Sequence, residues 1–273
     1  RRMARVSGWM RVPRDAQYRA AVCGGVPGES VFARDAASPE WAVLYLHGGG
    51  YCVGSAASHR AITRDLAVRG GARVFAADYR LAPEAPFPAA IEDAVAAWRG
   101  LLAEGFPPGQ SVIAGDSAGG GLAVAAALRL REIGLPMPAA LVLFSPWVDL
   151  ALDGLGEPQR GEVTLSRPWL AACADAYLGE APAGDPLASP VRADLRGLPP
   201  TLIQAGADEL LLADARRLSE AMSAAGVDVE LQVHEGFWHV FQLHAGMLEE
   251  ADRALAATTA FIASRAPLRT PVP

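Results

Sequence analysis

Ser111-Val112-Ile113-Ala114-Gly115-Asp116-Ser117-Ala118-Gly119-Gly120-Gly121 is the stretch that decides the fold of this 273-residue chain. Its first part is a short apolar run, the pattern of a buried strand. The Ala-rich segment from 118 to about 133 has the composition of a helix. Between them stands Gly-x-Ser-x-Gly, so Ser117 falls on a sharp strand-to-helix turn. Such a turn strains the serine backbone, and glycines two positions away on either side let strand and helix approach closely. The helix start aims free N–H groups and a positive dipole at the serine. By composition this pentapeptide arises by chance about 0.1 times in such a chain. Alone it also reads as a glycine-rich turn with a capping serine.

The flanking sequence repeats the same alternation. Short apolar runs at 43–46, 74–77, 112–114, 141–144 and 201–204, and an alternating one at 229–233, are separated by helical stretches near 59–69, 87–104, 118–133, 211–225 and 245–264. Continuous apolar strands alternating with helices predict an α/β fold, with a mostly parallel sheet covered on both faces. Segments 18–23 and 30–33 predict an antiparallel pair at one edge. The Pro-, Gly- and Asp-rich segment 149–199, with one helix near 167–178, breaks the alternation and reads as a functional lid or a linker. Residues 1–17 are irregular and basic.

A second motif supports the first. The run 43–46 ends in His47-Gly48-Gly49-Gly50-Tyr51. Three successive glycines let a loop turn its N–H groups inward, as a site that stabilises an oxyanion requires. Chance gives this motif about 0.005 times, so both together, each at a strand's C-terminal end, leave little room for coincidence. Ligands of open α/β sheets bind at those ends. His47, at the start of the loop, reads as its brace.

Composition removes other chemistries. The chain has neither lysine nor asparagine. That excludes Schiff-base and P-loop enzymes, Cys-His-Asn proteases and N-glycosylation. A net charge of −6 offers no basic surplus for nucleic acid. The N-terminal arginines 1, 2, 5, 11 and 14 read as solvated charges. No apolar run reaches the length of a membrane span. Cys23, Cys52 and Cys173 are odd in number and lack metal-ligand spacing, which points to no metal site and to a reducing, cytoplasmic compartment.

A serine nucleophile needs a base, and the base needs an orienting carboxylate. On this type of sheet the chain order is Ser, then Asp or Glu, then His. His234, His239 and His244 follow Ser117. His239 is the choice, because Gly236-Phe237-Trp238 sets it in a loop beyond the last strand. Asp208, just beyond the 201–204 run, is the expected acid. Glu209 reads as a cap of the next helix, and Asp214 falls within that helix. Asp116 reads as a turn-stabilising acceptor.

With these motifs in hand, the chain resembles the hormone-sensitive-lipase-like branch of the α/β-hydrolases, the bacterial family IV esterases. The resemblance rests on His47–Gly50, Asp78-Tyr79-Arg80-Leu81-Ala82-Pro83-Glu84, Gly115–Gly120, Gly206-Ala207-Asp208-Glu209-Leu210 and Gly236–His239, in family order over about 40–264. It implies an eight-stranded, mostly parallel sheet flanked by helices. The core would span 18–148 and 200–265, with a small reduced cap from 1–17 and 149–199. It implies a carboxylic-ester hydrolase that needs no cofactor, with Ser117, Asp208 and His239 as triad and the N–H groups of Gly49, Gly50 and Ala118 as oxyanion hole. Many relatives are homodimers. Tyr79–Glu84 reads as structural, with Arg80 and Glu84 holding neighbouring loops. Relatives usually carry two cap helices before the core. Here only 46 residues precede His47, so a first cap helix is absent, shortened or cut from the sequence given, and residues near Met3, Trp9 and Met10 would complete the cap.

Tyr51, Trp147, Trp169, Phe237 and Trp238 are the candidate pocket or cap residues, and each also reads as core. A small apolar pocket under a reduced cap suits short- to medium-chain acyl esters. Lactones are the variant within the same chemistry, and a non-catalytic ligand receptor is the alternative of another class.

Overall fold

A computed structural model describes residues 15–34, 39, 41–157 and 162–265. The N-terminal arginine stretch and the expected cap contributions of Met3, Trp9 and Met10 lie outside the described residues. The strands are β1 (Ala16–Cys23), β2 (Val26–Ala33), β3 (Ala42–Leu46), β4 (Arg73–Ala77), β5 (Val112–Asp116), β6 (Ala140–Phe144), β7 (Thr201–Gly206) and β8 (Val229–His234). The helices are α1 (Arg60–Gly70), α2 (Ala89–Ala103), α3 (Ala118–Glu132), α4 (Arg167–Leu178), α5 (Leu212–Ala224) and α6 (Glu249–Arg265).

The eight strands form one sheet in the order β1-β2-β4-β3-β5-β6-β7-β8. β1 and β2 form an antiparallel hairpin, β2 runs antiparallel to β4, and all other pairs are parallel. The hairpin turns at Gly24-Gly25, both with positive φ (59° and 85°), as a tight two-residue connection requires. Because side chains alternate across a strand, the apolar runs feed two cores. Leu44, Leu46, Phe75, Ile113, Leu141, Leu143 and Ile203 pack on one face with α2, α3 and α5. Val43, Tyr45, Val74, Val112, Val142 and Leu202 face the other, with α1 and α6. Burial on both faces is why these strands are continuously apolar.

α3 is buried almost all round, which explains its Ala- and Gly-rich sequence. A Cβ at Gly119 would run into the Leu46 and His47 carbonyl oxygens, and one at Gly121 into the Trp147 carbonyl oxygen. The helix therefore lies too close to β3 and to the chain after β6 for larger residues. The segment 149–199 contains one α-helix among its described residues, α4, at the expected position. α6 starts at Glu249 rather than 245, because 241–244 forms a separate 3₁₀ turn followed by Gly246 with φ 80°.

One consequence of the strand order matters most. The neighbouring parallel strands β3, β5, β6, β7 and β8 present, beyond their C-terminal ends, the glycine loop, Ser117, Ser145, Glu209 and His239 in that order.

Candidate active site

Ser117 has φ 53° and ψ −121°, a conformation L-residues adopt only when their surroundings enforce it. Here its N–H donates to the Phe144 carbonyl (2.8 Å), and its own carbonyl accepts from Gly120, Gly121 and Trp147 N–H groups. A Cβ at Gly115 would clash with the Gly119 carbonyl oxygen, so both flanking glycines are needed for the tight turn. Ser117 Oγ lies 2.9 Å from His239 Nε2, and both residues are buried. The fold thus brings together nucleophile and base from positions 122 residues apart.

The carboxylate behind the base differs from the expectation. Oε1 of the buried Glu209 stands 3.8 Å from His239 Nδ1. Both atoms are buried, and neither has a hydrogen-bond partner among the described residues. The second oxygen, Oε2, accepts from the Ser145 hydroxyl (2.6 Å) and the Gly206 N–H (3.0 Å). Asp208 is not brought to His239. It is half-buried, its N–H donates to the Phe237 carbonyl (3.1 Å), and its carboxylate makes no hydrogen bond or ion pair among the described residues. The turn after β7 points residue 208 outward and residue 209 inward, where two donors receive a carboxylate. Nor does the Glu209 side chain cap α5: only its backbone carbonyl meets that helix start, accepting from Leu212 N–H. Asp214 instead accepts from the Val148 and Asp149 N–H groups and pairs with Arg217. His234 pairs with Glu250, and His244 stacks edge-on to Trp238.

The glycine loop is braced from beneath. The buried Asp116 carboxylate accepts from Gly48 N–H (3.0 Å) and the Tyr45 hydroxyl (2.6 Å) on Oδ1, and Oδ2 lies 3.2 Å from His59 Nε2. Burial opposes the Asp116 charge, but His59 and the Tyr45 hydroxyl hold its pKa below the usual value. His59 mirrors this: burial works against its charge, while Asp116 and the Ser55 carbonyl raise its pKa. His47 donates from Nδ1 to the Gly48 carbonyl (2.7 Å) and stacks on Tyr79 with ring centroids 4.4 Å apart. The Tyr79 hydroxyl donates to the His47 carbonyl (2.6 Å). Burial, and next the charge of His59, pull the His47 pKa down to about 4. Tyr79 thereby supports the loop, and Arg80 ties its own loop to α2 through Asp93 and Glu92. Glu84 makes no such bond among the described residues.

Above the bend stand the N–H groups of Gly49, Gly50 and Ala118, none bonded to a described residue. A Cβ at Gly50 would lie 2.7 Å from Cys173 Sγ and 2.9 Å from Trp169 Cη2. α4 therefore rests directly on the glycine loop. Trp169 remains 38% exposed. Tyr51 and Trp147 are core rather than wall: they are 2% and 0% exposed, and Tyr51 stacks on Tyr177 at 3.8 Å. Phe237 and Trp238 pack with Phe241 and the start of α6. Among the described residues no cluster of three His, Cys, Asp or Glu side chains could hold a metal ion, and no helix is long and apolar enough to cross a membrane.

Residues 43–243, which contain every element of this site, match the family of the α/β-hydrolase fold. The chain belongs to that family. It is 45% identical over 249 residues to an acetyl-hydrolase of Streptomyces hygroscopicus, covering 87% of this chain and 83% of the relative. It is 39% identical to an esterase of Acinetobacter venetianus, over 91% and 82% of the two chains. The crystal structure of an esterase of the bacterial hormone-sensitive lipase family superposes with a TM-score of 0.93 at 43% identity, covering 96% of this chain and 89% of that one. This α/β-hydrolase is thus of the hormone-sensitive-lipase-like kind, as its motifs suggested. In the sequence Glu209 reads as a rival carboxylate that caps the next helix, and neither Ser145 nor His59 is singled out. Only the position of Ser145 at the end of the β6 run could have drawn attention to it.

Proposed function

We propose that this α/β-hydrolase is a serine carboxylesterase in which Ser117 is the nucleophile, His239 the general base and Glu209 the orienting acid. The observation that carries the reading is the 2.9 Å contact of Ser117 Oγ with His239 Nε2, backed by Glu209 on the other ring nitrogen. His239 takes the Ser117 proton on Nε2 as Oγ bonds to the ester carbonyl carbon. Charge develops on the carbonyl oxygen, where the N–H groups of Gly49, Gly50 and Ala118 and the start of α3 stabilise it. The bond to the alkoxy oxygen breaks as Nε2 returns the proton to the leaving alcohol. Water then attacks the acyl carbon, gives its proton to Nε2, and Oγ leaves reprotonated. Glu209 holds the Nδ1–H tautomer and stabilises the imidazolium formed in each half.

Segment 149–199 is read as a cap whose α4 limits the space over the oxyanion. Trp169 and Cys173, which lie against Gly50, are read as limiting the acyl group to short or medium chains, in keeping with the acetyl-hydrolase name of one relative. The same reading carries a homodimer and a reducing, cytoplasmic compartment, the latter supported by three free thiols. The test is twofold. A fluorophosphonate is expected to label Ser117 stoichiometrically, and Ser117→Ala to lose about 10⁴–10⁶ in kcat on p-nitrophenyl esters while staying folded. Near-full hydrolysis by the folded Ser117→Ala variant would sink the assignment. An unlabelled Ser117 in folded wild-type protein would favour a receptor.

A further inference from the structure

We propose that Ser145 is a positioning residue of the reaction, whose hydroxyl fastens the acid to the loop that carries the base. The inference rests on the triad reading above. Ser145 sits just beyond β6, fully buried, with φ 49°. No glycine occupies this left-handed position, although glycine would adopt it without strain. The side chain is what the position uses. Its hydroxyl donates to Glu209 Oε2 at 2.6 Å and accepts from Val240 N–H at 3.1 Å. Val240 directly follows His239 and is itself left-handed, with φ 50°. The backbone is fixed as well, since Ser145 N–H donates to the Gln204 carbonyl at 2.7 Å.

One oxygen atom thus joins two chain segments from different strands. Using Oε2 for Ser145 and Gly206 leaves only Oε1 to face His239, so the hydroxyl selects which edge of the carboxylate meets the imidazole. Without it, Glu209 can rotate, and Val240 N–H loses its acceptor next to the base. Ser145 touches no reacting atom, so the effect runs through Glu209 and His239.

The experiment compares Ser145→Ala, Ser145→Gly, Glu209→Gln and the double variant Ser145→Ala/Glu209→Gln. All rates are normalised to fluorophosphonate-titrated Ser117, so only folded sites count. Ser145→Ala is expected to lose about 10- to 100-fold in kcat with KM within about twofold. Ser145→Gly relaxes the backbone at φ 49° and is expected to lose activity to the same extent. The double variant is expected to fall within about threefold of Glu209→Gln alone, because alignment of an absent acid costs nothing further. The proposal is overturned if either serine variant keeps kcat within twofold of wild type while Glu209→Gln is crippled. It is equally overturned if the two losses multiply, as a separate structural defect would make them. An active Glu209→Gln variant would instead remove the acid assignment, and the proposal with it.

Discussion

His239 Nδ1 and Glu209 Oε1 face each other at 3.8 Å in a buried setting where neither has another partner among the described residues. Two orphaned polar atoms in one enclosure are costly unless they serve one another, which supports the proposal of Glu209 as the acid. Glu209→Gln is expected to lower kcat by about 10³–10⁴, with little change in KM. Asp208→Asn, altering a half-buried carboxylate that does not reach the base, should stay within about threefold of wild type. Steady-state kinetics of the two purified variants decides between the neighbours, and the reverse ranking would restore Asp208.

His47 gives the fold an acid sensitivity of calculable sign. Its folded pKa is depressed to about 4, whereas the unfolded chain titrates near 6.5. Between those values the unfolded state binds the extra proton, so stability drops as pH falls through the window, by about 3 kcal/mol in all. His59, whose pKa is raised, is protonated in both states there, and its contribution is lost only as pH climbs above the window. Asp116, held below its usual value, titrates beneath it. Melting temperatures of wild type and His47→Gln from pH 7 to 4 should therefore converge on acidification, and parallel curves would refute the account.

Trp169 is expected to control acyl length. It is partly exposed, and its ring edge lies over Gly50. Trp169→Ala should leave Tm nearly unchanged and raise kcat/KM for octanoyl relative to butyryl p-nitrophenyl esters by about tenfold. An unchanged chain-length profile would move the wall elsewhere.

Gly119 tests the seat of α3. A methyl group there has to displace the Leu46 and His47 carbonyls, so Gly119→Ala should destabilise the protein by about 1–3 kcal/mol. Because Leu46 and His47 lead into the glycine loop, kcat should fall as well. Denaturant unfolding beside kinetics on the folded fraction would separate the two effects.

The sheet was legible because its strands are buried on both faces, and continuous apolar runs such as 141–144 can hardly be anything else. The turn at Ser117 and the loop at His47 were legible because glycine is required at several positions at once. The proposed acid, Glu209, stands one residue beyond the carboxylate that the sequence pattern favours, for a physical reason. Chain order specifies the loop after β7, but not which of two adjacent carboxylates turns inward. That choice depends on the Ser145 hydroxyl, 64 residues away. Whether Tyr51 and Trp147 stack in the core or face a cavity is not legible, because aromatic residues near a site look alike in sequence.

The seat of α4 on Gly50 has a consequence for how such enzymes are recombined. On the proposed reading, the roof over the acyl group and the floor that holds its oxyanion share one contact, made by Cys173 and Trp169 on one side and a residue without a side chain on the other. Transplanting 149–199 from a relative without the matching 47–54 loop would shift the floor along with the roof. These two segments, distant along the chain, form a single exchangeable module.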